Sequence, residues 1–241
     1  MAKKSLSVRK RKKLMRIDEI GFGHIKLIQD PDEFCYGTDA VLLARFAKLQ
    51  KDLKIADLCT GNGAVAFMVH ALYNPQHVVG VDINKHEIDL ALETARLNGL
   101  SQGFDFIADD VLNLKNRLNF ESFDAITINP PYQEKGRGIS GISDAKHAAR
   151  FETTADLSDF FETSAYLLKP KGSLTMVHRP SRLVDILSLA RERRLEAKRL
   201  QMVAPYPGDA ANIVLIQFVK DGGHELIIEP ELYVRNKKPN P

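Results

Sequence analysis

From Lys54 onward, short apolar runs alternate with helix-length segments, and this alternation constrains the fold more than any other feature of the chain. Ile55 to Leu58 reads as a buried strand, Cys59 to Gly63 as a glycine turn and Ala64 to Tyr73 as a helix. Val78 to Asp82 is the next strand, followed by a helix from Lys85 to Asn98 that Gly99 ends at its C′ position. Phe104 to Ala108 and Phe123 to Ile128 are the third and fourth strands. A helix over 156–168 stops at Lys169-Pro170-Lys171-Gly172, and Ser173 to Val177 is a fifth strand. A helix over 181–194 precedes strands near 197–203 and over 212–220. Such alternation specifies an α/β fold, a doubly wound and mostly parallel sheet with helices on both faces.

The 241 residues are enough to bury a full core, and one α/β domain with additions is expected. No run approaches the length of a membrane span, and the charged N-terminus has no apolar segment behind it, so the expected location is cytoplasmic. Cys35 and Cys59 make neither a zinc spacing nor a disulfide framework, and no metal is expected. The net charge of +3 hides an asymmetry. Of the 34 basic residues, eight lie within residues 1–16 with no acid among them, leaving 26 against 31 acidic in the remainder. A basic, flexible arm that includes Arg9, Lys10, Arg11, Lys12 and Lys13, on a mildly acidic body, points to a polyanion as partner, most simply nucleic acid.

Gly61-Asn62-Gly63-Ala64-Val65-Ala66 fits a G-x-G-x-x-A turn between strand and helix, and Asp82 stands 21 residues beyond Gly61 at a strand end. A carboxylate there accepts hydrogen bonds from ribose hydroxyls, so an adenosine-containing cofactor is expected. Two candidates follow. NAD brings a pyrophosphate that wants bare backbone N–H groups. S-adenosylmethionine brings a positive α-amino group and a sulfonium, which make nearby carboxylates useful. Asp57 precedes the loop, Thr38-Asp39 lie where they face it, and Asp109-Asp110 follow the third strand to meet an adenine edge. No His and no Tyr/Lys pair marks a hydride-transfer site, which favours the methyl donor. Upstream, 23–29 reads as a short strand, and a helix runs over 40–47 with Thr38 or Asp39 as its N-cap. The chain therefore divides into the arm, residues 1–16, an N-terminal strand and helix covering the cofactor site, residues 17–50, and the cofactor-binding domain, residues 51–241.

Asn129-Pro130-Pro131-Tyr132 directly follows the fourth strand. Two prolines cannot continue a ladder, so the chain leaves the sheet stiffly. The Asn129 amide oxygen and the Pro130 carbonyl make two adjacent acceptors, matching the two donors of a planar –NH2 group, with the Tyr132 ring as a stacking face.

Asp57-Leu-Cys-Thr-Gly-Asn-Gly63, Val81-Asp82, Ala108-Asp-Asp-Val111 and Asn129-Pro-Pro-Tyr132, in this order, resemble the class I S-adenosylmethionine-dependent methyltransferases that modify amino groups. The resemblance implies a Rossmann-like, seven-stranded sheet ending in an antiparallel hairpin. It implies that 57–63 wraps the methionine part of the cofactor, Asp82 holds the ribose and Asp110 the adenine amine. The cofactor set so implied is Thr38, Asp39, Asp57, Cys59, Gly61, Gly63, Asp82, Ile83, Asp109, Asp110, Val111 and Asn129. The catalytic set is Asn129, Pro130, Pro131 and Tyr132, and the product is S-adenosyl-L-homocysteine. The Asn-Pro-Pro-Tyr signature is shared by enzymes acting on adenine N6 of DNA and RNA, guanine N2 of rRNA and glutamine of release factors. Tyr36-Gly-Thr-Asp-Ala-Val-Leu-Leu43, Arg150-Phe-Glu152 and Gly208-Asp-Ala-Ala-Asn-Ile-Val-Leu-Ile216 resemble the bacterial tRNA1(Val) adenine-37 N6-methyltransferases. The implied substrate is a tRNA anticodon stem-loop. A glutamine or rRNA guanine substrate, or a non-catalytic nucleic-acid binder with a vestigial site, are the alternatives. The glycine-rich stretch 133–150, with Lys135, Arg137, Lys146 and Arg150, reads as a mobile substrate loop whose cations meet phosphates.

Overall fold

A computed structural model of the protein describes residues 15–33, 35–132 and 155–236. Lys135, Arg137, Lys146 and Arg150 of the expected substrate loop, and Arg9 to Lys13 of the arm, lie outside the described residues.

The regular part of the chain opens with a hairpin, β1 (Arg16–Glu19) against β2 (Lys26–Gln29), and helix α1 (Thr38–Phe46). Then come β3 (Lys54–Leu58), α2 (Ala64–Tyr73), β4 (His77–Asp82), α3 (Lys85–Leu97), β5 (Phe104–Ala108), a 3-10 turn (Val111–Asn116) and β6 (Phe123–Ile128). After the undescribed stretch follow α4 (Leu157–Leu167), β7 (Leu168–His178), α5 (Leu183–Glu192), β8 (Leu195–Ala204) and β9 (Ile213–Lys220). Two two-residue strands, β10 (Ile227–Ile228) and β11 (Leu232–Tyr233), pair with the outer edge of β8.

The large sheet runs β8-β9-β7-β6-β3-β4-β5, seven strands, with β10 and β11 added beyond β8. β3, β4, β5, β6 and β7 are mutually parallel, whereas β9 is antiparallel to both β7 and β8. The C-terminal antiparallel hairpin inferred from the sequence is therefore present, and the sheet carries two short strands more than expected. From β3 the chain winds outward through β4 and β5, then returns to place β6 on the other side of β3. That reversal opens a crevice at the carboxyl ends of β3 and β6, where open α/β sheets bind ligands.

Each face of the sheet has its own core. One packs α4, α5 and the 3-10 turn through Phe160, Phe161, Leu114 and Ile186. The other packs α1, α2 and the β1–β2 hairpin through Leu43, Phe67, Met68 and Leu27. Full burial of a ring such as Phe67 stabilises by roughly 1.5–3 kcal/mol. Helix ends are set by local chemistry. Asn84 caps α3 by accepting from the His86 N–H, Gly99 follows at φ +69°, and Asp156 with Asp159 forms a reciprocal capping box on α4.

Three sequence expectations shift. The N-cap of α1 is Gly37, and neither Thr38 nor Asp39 caps it; both lie in its first turn. The strand expected over 173–177 begins at Leu168, because Lys171 adopts φ +65° and the chain turns without leaving the sheet. Arg16, assigned to the arm, is the first residue of β1.

Candidate active site

Five loops leave the parallel strands side by side. Leu58 is paired with both Ile128 and Val81, Asp82 with Ala108, and Ile128 with Met176. Cys59, Asp82, Asp109, Asn129 and Arg179 thus start from neighbouring strand ends, on strands about 4.8 Å apart.

The β3–α2 loop is held tightly. The Thr60 N–H donates to the Val81 carbonyl (3.0 Å), the Gly63 N–H to the Thr60 carbonyl (2.9 Å) and the Gly61 N–H to Asp82 Oδ2 (2.8 Å). Cys59 sits at φ +58°, a conformation that costs a non-glycine residue about 1–2 kcal/mol. Gly63, at φ +85°, admits no side chain: a Cβ there lies 2.7 Å from the Phe67 ring. Gly61 at φ +53° differs, because a Cβ there meets nothing nearer than Glu87 Oε2 at 4.0 Å. The loop is closed toward the core and open at Gly61.

Asp57 is 1 % exposed. Its Oδ1 accepts from Thr127 and its Oδ2 from Thr60, both at 2.6 Å. Thr127 is its direct partner on β6, so the carboxylate ties β6 to the loop. Burial is the leading influence and raises its pKa from 3.8 to about 6, against the pull of the threonine hydroxyls. With both oxygens occupied, Asp57 acts on the site through the loop and its charge. Burial also pushes the Cys59 thiol well up, helped by Asp82, Asp57 and Asp110, which keeps it protonated.

Asp82, at the tip of β4, accepts from the Gly61 and Asn84 N–H groups, both at 2.8 Å. Those bonds use two of the roughly four lone-pair directions of a carboxylate. Ile83 beside it is 38 % exposed, an apolar face next to a carboxylate. Asp109 accepts from Asn113 (2.8 Å) and the Arg117 Nε (2.7 Å), the Asn113 bond being the leading cause of its lowered pKa. Asp110 caps the 3-10 turn through the Leu112 N–H. The Val111 side chain belongs to the core, whereas Leu112 is exposed.

The tetrapeptide after β6 is where the structure adds most. The Tyr132 hydroxyl lies 2.8 Å from Asp39 Oδ2 and 2.9 Å from Asn129 Oδ1. Asp39, which does not cap α1, joins the start of that helix to the tetrapeptide. The ring of Tyr132 meets His178 edge-on at 5.1 Å between centroids, and the Arg179 guanidinium lies 4.6 Å from its centroid. Burial, then Asp39, raises the Tyr132 pKa, so the phenol stays protonated. Burial likewise lowers the His178 pKa to about 4, and its Nδ1 accepts from the Arg179 N–H (2.8 Å). The ring is neutral, with its proton on Nε2. Neither His178 nor Arg179 stood out in the sequence; the parallel pairing of β6 with β7 is the signal that brings them to Tyr132.

The β1–β2 hairpin lies against this assembly. Asn62 Nδ2 donates to the Ile28 carbonyl (3.2 Å), and the buried Asp30 pairs with His86 (2.9 Å) on α3. Among the described residues no cluster suited to a metal ion occurs, and no helix is long and apolar enough to cross a membrane.

A family model described as "Methyltransferase domain" matches residues 49–202. Among curated proteins, the tRNA1(Val) (adenine(37)-N6)-methyltransferase of Porphyromonas gingivalis is 28% identical over 203 residues, covering 80% of this chain and 77% of its own. The protein of the same name from Bacteroides thetaiotaomicron is 29% identical over 184 residues, covering 76% and 75%. Among solved structures, one described as a predicted O-methyltransferase from Agrobacterium tumefaciens superposes with a TM-score of 0.68 at 21% identity, over 84% of this chain and 90% of that one. TrmN from Thermus thermophilus gives 0.53 at 20% identity, over 75% and 48%. At these identities the two structures speak for the fold alone.

Proposed function

Because the chain belongs to the family of methyltransferase domains, we propose that it transfers a methyl group from S-adenosylmethionine to the N6 amine of an adenine in tRNA, at position 37 beside the anticodon of tRNA1(Val). The observation that carries this reading is the junction of Asn129, Tyr132 and Asp39 at the mouth of the β3/β6 crevice. The curated relatives' shared description supports the choice of tRNA adenine.

The residues present fit the cofactor. Asp82 stands at the tip of β4 beside the loop, where a carboxylate suits ribose hydroxyls, Ile83 offers an apolar face for adenine, and Gly61 leaves open space along the loop. Of the two acids after β5, Asp110 is assigned to the adenine amine, since Asn113 and Arg117 already donate to Asp109. The cofactor, when bound, supplies an electrophilic methyl group on a sulfonium.

The chain's own residues then orient the nucleophile. Tyr132 has one hydroxyl proton and two neighbouring oxygens. An ionised Asp39 is the stronger acceptor and takes it. The Tyr132 oxygen is then free to accept from the Asn129 –NH2, since amide oxygen and nitrogen are interchangeable in shape. In that orientation Asn129 Oδ1, beside the Pro130 carbonyl, accepts from the adenine amine and directs its lone pair along the line of displacement. Tyr132 stacks on the base, contributing roughly 1–3 kcal/mol. An anticodon-loop adenine is already single-stranded, so turning it into the crevice costs little. The amine becomes acidic once alkylated and releases its proton without a dedicated base. Arg9 to Lys13 of the arm, and Lys135, Arg137, Lys146 and Arg150, are assigned to RNA phosphates by their charge.

The test is incubation of the full chain with labelled S-adenosylmethionine and total tRNA, followed by nucleoside analysis. The expected product is N6-methyladenosine in a valine tRNA. Label in rRNA, or label that survives ribonuclease but not protease, overturns the substrate assignment.

A further inference from the structure

Arg179 has no place in the mechanism above, yet it touches the residue on which the base stacks. It is exposed and directly follows β7, and its Nη1 donates to the Asn212 carbonyl at 3.1 Å. No carboxylate among the described residues pairs with it, although Arg182 nearby is paired with Asp185. Its guanidinium lies against the ring of Tyr132, 4.6 Å from the centroid, and its own backbone N–H sets the orientation of the His178 ring on the edge of that tyrosine. A guanidinium has five N–H donors in one plane, of which the Asn212 carbonyl takes one. His178 is uncharged at neutral pH, so it does not compete for an anion. An exposed cation whose remaining side-chain donors have no partner among the described residues, fixed beside the stacking ring, is suited to the charged part of whatever molecule places a flat group on that ring.

Resting on the reading of this site as a nucleotide-methylating one, we infer that Arg179 is a specificity-determining residue that binds the phosphate flanking the target base while its guanidinium braces one side of the Tyr132 ring. The base takes the side of the ring away from Arg179, and its ribose then carries the backbone phosphate toward the rim where Arg179 is anchored. The two contacts measure a nucleotide, a flat base and an anion one sugar apart. A glutamine side chain offers a carboxamide without the anion, and a free nucleoside offers the base without it. Arg179 thereby separates a polynucleotide substrate from other amides and amines that suit the acceptors of Asn129. Lysine keeps the charge but loses the planar fork and the flat contact with the ring.

The experiment compares wild type, Arg179→Lys and Arg179→Gln on an anticodon stem-loop RNA, with and without a neutral methylphosphonate flanking the target adenine. In wild type the methylphosphonate raises KM roughly tenfold, the equivalent of one charge-assisted hydrogen bond. Arg179→Gln raises KM for the unmodified RNA by a similar factor, becomes insensitive to the methylphosphonate, and lowers the salt-dependence slope of RNA binding by about one. S-adenosylmethionine affinity stays unchanged, and Arg179→Lys falls between the two. If Arg179→Gln keeps the wild-type KM, salt slope and methylphosphonate response, the inference is wrong. A variant that loses cofactor affinity along with RNA affinity makes Arg179 a merely structural residue and also overturns it. Failure of the wild type to methylate RNA at all removes the functional reading and this inference with it.

Discussion

Asp57 offers the clearest separation between stability and function. It is almost wholly buried, its oxygens are occupied by Thr60 and Thr127, and its pKa stands at about 6 instead of 3.8. A folded-state pKa above the unfolded value means that folding favours the protonated acid. The associated stability is fully present below about pH 4, is lost as pH rises toward 6 and stays lost above it. The displacement corresponds to about 3 kcal/mol, or roughly 2–4 °C in Tm for each kcal/mol in a chain of this size. Asp57→Asn removes this titration while keeping the shape, since the threonine hydroxyls rotate to suit an amide. Urea unfolding of both proteins from pH 3 to pH 8 should show wild type losing about 3 kcal/mol relative to the variant, roughly 2 kcal/mol of it between pH 4 and 6, then running parallel to it above about pH 7. Cofactor binding should respond with the opposite sign. The ionised carboxylate attracts a sulfonium, so S-adenosylmethionine should bind more tightly as pH rises through 6, while neutral S-adenosylhomocysteine responds less. A wild-type-minus-variant stability difference that stays flat from pH 4 to 8, or rises with pH, refutes the reasoning.

Asn129→Ala should collapse turnover and leave cofactor affinity nearly intact, whereas Asp82→Ala should chiefly weaken cofactor binding, because it also releases the Gly61 N–H; calorimetry beside single-turnover assays separates the two. Gly63→Ala should lower the unfolding free energy by more than 1–2 kcal/mol, since a φ of +85° and a Cβ 2.7 Å from Phe67 add together, whereas Gly61→Ala pays the φ cost alone. Equal denaturation midpoints for the two variants contradict that account. Tyr132→Phe, Asp39→Ala and the double variant should give non-additive losses in kcat, because Asp39 is placed to act through the Tyr132 hydroxyl; strictly additive losses mean that Asp39 acts independently.

Much of the architecture was readable from local chemistry. The alternation of β3 to β6 with α2 and α3 follows from apolar periodicity and glycine turns, which are properties of short segments. Gly61, Gly63 and Asp82 announced their strand-end positions by spacing, and Asn129-Pro130-Pro131-Tyr132 by two prolines that end a ladder. The strand read over 23–29 is β2, whereas its partner β1 and the two C-terminal edge strands escaped notice, since two to four residues carry too little periodicity.

What the sequence by itself determined was the set of turns and acids that a parallel sheet must display at its carboxyl edge, because strand, helix and turn propensities act over a few residues. What only the tertiary structure decided was which of those groups meet. Asp57 opposes Thr127 because β3 and β6 pair in one register, 70 residues apart along the chain. Asp39 reaches Tyr132 across 93 residues, and β7 carries His178 and Arg179 to the same ring. Such contacts depend on sheet order and register, which are settled by packing two cores against one sheet, and no local pattern in the chain encodes them.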